Sequence, residues 1–121
     1  MKTITTIIIC LILSAQAMAQ TTTKANVSQA DPAKKIQIVE AACGECRLGM
    51  KGKSCDLAVR INGKSYFVDG TGIDSHGDAH AKNGFCEAIR KAEVQGEIVN
   101  DRFRATYFKL LPGDKKKVDA N

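Results

Sequence analysis

Asn62-Gly63 stands between "DLAVRI", where Leu57, Val59 and Ile61 alternate with Ala58 and Arg60, and "KSYFVDG", rich in β-branched and aromatic residues. Both central residues of a two-residue hairpin turn need positive φ, which Asn and Gly adopt at low cost. The pair predicts a β-hairpin over residues 56–69 and commits the middle of the chain to antiparallel sheet.

The flanking segments extend that reading. "KIQIVEA" alternates Ile36 and Ile38 with Lys35 and Gln37 and reads as a strand, whereas "CGECRLGMKGKSC" has no period and reads as a loop. Ala81, Phe85, Ala88, Ile89 and Ala92 recur at helical spacing, which predicts a helix over 78–91. Asp74 or Asp78 would cap it, and Gly84 would cost about 1 kcal/mol in its interior. "AEVQGEIV" and "RFRATYFKLL", separated by Asn100-Asp101, predict a second hairpin. The order β-β-β-α-β-β describes a mostly β domain with one helix, and closing five strands into an OB-like barrel removes their edges. An open α+β sandwich is the alternative.

The opening "MKTITTIIICLILSAQAMAQ" has a basic start, an apolar run and small residues at Ala17 and Ala19. That is the pattern of a signal peptide over 1–19, with a run too short for a bilayer, which needs roughly 20 apolar residues. Cys10 would leave with it. The mature protein is expected to be exported, periplasmic or extracellular, with no transmembrane segment. Residues 20–34 read as a flexible linker, 35–111 as the domain, and 112–121, with Lys115 to Lys117, as a polar basic tail. The chain carries 18 Lys and Arg against 13 Asp and Glu, a mild and dispersed excess that gives nucleic acid no basic face to bind.

The run Cys43-Gly-Glu-Cys46, the strand "CDLAV" and the segment "GDAHAKNGFC" resemble a family of small exported bacterial proteins of unknown function. The likeness spans roughly residues 38–111. It implies an exported single domain and transfers no activity and no site residue.

Cys43, Cys46, Cys55 and Cys86 remain after the leader. An even number in an exported small domain predicts two disulfides, each contributing roughly 2–4 kcal/mol, with the connectivity open. The competing reading is a zinc or copper site in which Cys43, Cys46 and Cys86 supply thiolates and His76 or His80 an imidazole. Asp74, His76, Asp78 and His80 occupy every second position, so an extended segment would point them to one side. A third reading makes Cys43 and Cys46 a redox dithiol, although Gly49 and Gly52 argue against the long helix such pairs begin.

No nucleophile motif and no phosphate-cradling glycine loop accompanies these groups, so catalysis has no support in the sequence. Tyr66, Phe67, Phe103, Tyr107 and Phe108 alternate within strands, so about half of them belong to the core. The function expected is noncatalytic binding of a small ligand or envelope partner. The surface would combine the cysteine loop, with Glu45, Arg47, Lys51 and Lys53, and the segment "TGIDSHGDAH".

Overall fold

The structure, a computed structural model, describes residues 27–113. Its elements are β1 (Gln37–Cys43), α1 (Gly44–Arg47), β2 (Leu57–Ile61), β3 (Lys64–Asp69), β4 (Arg90–Val99) and β5 (Arg102–Leu110). The strands close into a barrel in the order β1-β2-β3-β5-β4. Every junction is antiparallel except β3–β5, which is parallel and pairs Val68 with Phe103 and Asp69 with Arg104. The fold is therefore mostly β with one short helix, a closed five-stranded barrel rather than an open sandwich. Among the described residues no helix is long and apolar enough to cross a membrane.

Both hairpins form. Asn62 and Gly63 have φ of 50° and 82° and join Ile61 to its partner Lys64, while Asn100 and Asp101, at 51° and 61°, join Val99 to Arg102. The long β4–β5 ribbon contains a bulge: Gln95 faces Tyr107 and Gly96 faces Ala105, leaving Thr106 as the extra residue. Because side chains alternate faces, one extra residue inverts the parity of everything beyond it. Phe103 and Ala105 before the bulge and Phe108 and Leu110 after it consequently all reach the same core. They meet Val39, Ala41, Leu57, Val59, Phe85 and Val94 there.

The helix is where the sequence expectation fails. Residues 79–87 form successive turns and bends, and Arg90 and Lys91 already belong to β4, so the order is β-α-β-β-β-β. Asp78 does cap, but the Oδ1 it offers accepts the N–H of His80 two residues on, closing a turn rather than starting a helix. The stripe that suggested a helix is divided: Phe85 and Ala92 are buried, whereas Ala81 and Ile89 are exposed. Ala79, Ala81 and Gly84 carbonyls accept short-range bonds from Cys86, Gly84 and Ala88 instead. Small side chains around Gly84 gave a helix little area to bury, and tertiary contacts at Phe85 and Cys86 decided the path.

Residues 27–34, in the stretch read as linker, are fastened to the barrel. Gln95 is buried beside the bulge; its Oε1 accepts the Asp31 N–H at 2.8 Å, and its Nε2 donates to the carbonyls of Asp31 and Lys34. Phe108 donates its N–H to the Val27 carbonyl at 2.8 Å. The leader over 1–19, the linker as far as residue 26 and the tail from residue 114 lie outside the described residues.

Candidate metal centre

Three pieces of chain meet at one end of the barrel. β1 ends on Cys43, opposite Leu57 of β2, so the loop between them must return to its starting point and Cys55 arrives beside Cys43. Gly44 donates its N–H to the Asp56 carbonyl at 2.9 Å and accepts from Leu48 and Met50, closing the loop into α1. The third piece is the turn segment before β4. Cys43 donates its N–H to the Phe85 carbonyl at 2.9 Å, and Cys86 donates to Ala79, which brings the Cys86 side chain in from the far side.

Glycine at position 44 is a spatial necessity. A Cβ there would lie 2.6 Å from Cε1 of Phe67, so the α1 turn rests on that ring. Cys43 is the N-cap of α1, extended at φ −62° and ψ 122°, and its Sγ accepts the N–H of Cys46 at 3.4 Å. Arg47 donates from Nε to the Cys86 carbonyl at 2.9 Å and pairs with Glu87 at 3.6 Å, while Glu45 accepts the Ser54 N–H at 3.0 Å. Two of the four charged residues assigned to a recognition surface thus hold the loop together.

The result is a cluster of four sulfurs. The Sγ atoms of Cys43, Cys46, Cys55 and Cys86 all lie within 4.8 Å of one another, with Cys46 and Cys55 3.7 Å apart. Cys43 and Cys86 are buried; Cys46 and Cys55 are exposed. No disulfide joins any two of the four in this structure, whereas the sequence predicts two. A disulfide needs sulfurs about 2.05 Å apart, and these thiols stand back at the corners of one group.

The cluster cannot hold four negative charges unaided. Hydrogen bonds to Cys43 and then Cys55 push Cys46 up to about 12, and burial, then the charge of Cys43, pushes Cys86 up to about 11. Burial opposes ionisation of Cys43 too. There the thiols of Cys46 and Cys55 and the N–H groups of Cys46 and Glu45 outweigh it and leave the group below its ordinary 9.0. Without a cation, ionisation is easiest at Cys43 and opposed at Cys46 and Cys86; a bound cation would favour the thiolate form of every sulfur it touches.

Residues 37–111 match a family described as Family of unknown function (DUF6370). The chain belongs to DUF6370. No curated protein and no solved structure matches it. The DUF6370 region begins with β1 and ends one residue after β5, so the barrel and all four clustered cysteines fall inside it.

Neither histidine joins the sulfurs of this DUF6370 domain. His76 turns into the barrel, its ring centroid 4.5 Å from that of Phe108 and 6.2 Å from that of Phe85, and its Nε2 lies 2.8 Å from Thr71 Oγ1. His80 is exposed, and Asp74 and Asp78 are exposed beside it, in turns rather than on one side of an extended segment. Of the residues expected from sequence as metal ligands, Cys43, Cys46 and Cys86 stand in the sulfur group, His76 and His80 stand outside it, and Cys55 completes it. The sequence assigns Cys55 to a disulfide and not to the metal set because its spacing from Cys46 matches no paired motif; the glycine-rich return from Gly44 to Cys55 is the available signal.

Proposed function

We propose that this protein is an exported, noncatalytic module whose ligand is a soft metal ion, zinc foremost, held by Cys43, Cys46, Cys55 and Cys86. The supporting observation is the spacing of the sulfurs. Zinc–sulfur bonds of about 2.3 Å in a tetrahedron place neighbouring sulfurs about 3.8 Å apart, against 3.7 Å for Cys46 and Cys55 and a limit of 4.8 Å for the whole set. Four thiolates fill a tetrahedral ion and leave no position for water or substrate, the condition of a structural rather than a catalytic zinc. The Cys46 N–H on Cys43 Sγ and the Arg47 bond to the Cys86 carbonyl supply the outer hydrogen bonds that orient such ligands. Bound thiolates are also withheld from oxidation, which reconciles free cysteines with an oxidising compartment when the metal is loaded first.

The test is native mass spectrometry of the protein recovered from its own compartment, together with a count of reactive thiols. One zinc per chain is expected, with four thiols reactive only after chelation. Two disulfides and no metal would reject the proposal, and a mature chain still carrying residues 1–19 would reject export.

A further inference from the structure

A second site lies on the other side of the segment that carries Cys86. A cavity of about 180 Å³ opens between the turns at 76–84, the start of β4 and the end of β5. Phe85 and Leu110 give it an apolar wall, while Asp78 and Ala81 stand exposed at its rim. An apolar cavity of about 150 Å³ accepts a benzene ring, so this one has room for a ring carrying a small polar group.

The polar group is specified by Arg90, which lines the cavity. Its Nη1 donates to the Asn83 carbonyl and its Nη2 to the Leu111 carbonyl, both neutral acceptors. Its Nε is buried with no hydrogen-bond partner, and among the described residues no carboxylate is ion-paired with it. A half-buried guanidinium with two of five N–H donors engaged and no carboxylate in ion-pair contact is unusual, because such groups are ordinarily matched by an anion at close range. The His76 ring lines the same space, tied to Thr71 through Nε2.

We propose that this cavity binds a small organic monoanion, an aromatic or branched carboxylate, with its carboxylate on Arg90 and its apolar body against Phe85 and Leu110. Arg90 keeps one N–H uncommitted on each of Nη1 and Nη2, and a carboxylate is the acceptor that suits such a charged pair of donors. Asp78 at the rim sets the charge, because a second negative group on the ligand would face its carboxylate. The site requires no metal at the sulfur cluster, although Phe85 and Cys86 are neighbours in sequence, so zinc-loaded and chelated protein are compared.

Benzoate is the probe, with benzyl alcohol as the neutral partner of the same shape and phthalate as the dianion, each titrated into the full mature chain and followed by NMR. Benzoate is expected to shift the Phe85, His76 and Leu110 resonances with millimolar affinity, with benzyl alcohol and phthalate at least tenfold weaker. Arg90→Gln should abolish that preference; because Arg90 also holds Asn83 and Leu111, Ala81→Trp, an exposed rim change that occludes the cavity, should abolish binding with the spectrum otherwise intact. Equal binding of benzoate and benzyl alcohol would reduce the site to an apolar hole and overturn the proposal. So would the absence of shifts in both zinc-loaded and chelated protein, or benzoate binding that survives Ala81→Trp.

Discussion

Cys43 donates its backbone N–H to the carbonyl oxygen of Phe85 at 2.9 Å. That bond, at the last residue of β1, sends Phe85 into the barrel core and leaves Cys86 beside Cys43. The cluster is therefore an extension of the sheet: the sulfurs meet because the barrel delivers their backbones to one place.

Replacing Cys86 or Cys43 with Ser should abolish stoichiometric zinc, since each removes a buried ligand. Arg47→Ala keeps all four sulfurs but removes the donor on the Cys86 carbonyl. It should weaken zinc by about 10–100-fold, as loss of an outer hydrogen bond typically does. Competition against a chromophoric chelator measures both.

In metal-free protein, oxidation should begin with Cys46 and Cys55. They are exposed and their sulfurs are 3.7 Å apart, whereas Cys43 and Cys86 are buried. With oxidised glutathione as oxidant, the two thiols lose two electrons and two protons and form one disulfide, while the glutathione disulfide is reduced to two thiols. Peptide mapping at early times should find the 46–55 bridge first. A first bridge between Cys43 and Cys86 would contradict the geometry.

Gly44→Ala should destabilise the protein by about 1–3 kcal/mol, the usual cost of forcing an atom into filled space. The new Cβ would lie 2.6 Å from the Phe67 ring, 3.0 Å from Met50 Sδ and 3.1 Å from Ala58 Cβ. Adding Phe67→Leu should return part of the loss, because the two changes share one contact. Denaturant midpoints of the single and double variants give the coupling.

Acid should weaken the fold through His76. Burial holds its imidazole below the ordinary 6.5, so the folded state favours the neutral ring and the unfolded chain takes the proton first. The contribution is complete above about pH 6.5 and is lost as pH falls through the lower folded value. Asp78 and Arg90 line the same cavity and oppose one another in sign. His76→Gln should be less stable at pH 7.5 yet lose less on going to pH 5; parallel curves for the two proteins would assign the acid response elsewhere.

The barrel was legible in the sequence wherever a local rule was strong. Asn62-Gly63 and Asn100-Asp101 marked their turns because Asn, Asp and Gly tolerate positive φ locally, with no help from distant contacts. The helix at 78–91 was misjudged because Phe85 and Ala92, which look like one helical face, are a loop residue and a strand residue brought to the same core by long-range pairing. The same reason hid the four-sulfur cluster. Cys43 and Cys46 are local, but Cys55 joins through strand register and Cys86 through a bond to Phe85, and neither relationship leaves a spacing motif.

The junction of β3 with β5 is held by two residue pairs, whereas each other junction has at least four. Arg102 lays a fork across it onto the Asp69 carboxylate, at 2.9 and 3.0 Å, but both side chains are well exposed and such a pair adds little. Thermal fluctuation should part the wall along this line before any other. In such a breath the cylinder becomes a curled sheet with two free margins, and the amide protons flanking Val68 and Phe103 trade with solvent ahead of those in the β4–β5 ribbon. The α1 turn rests on Phe67, one residue before Val68, so the cysteine loop borders that slit, and each parting of the wall loosens the floor beneath Gly44.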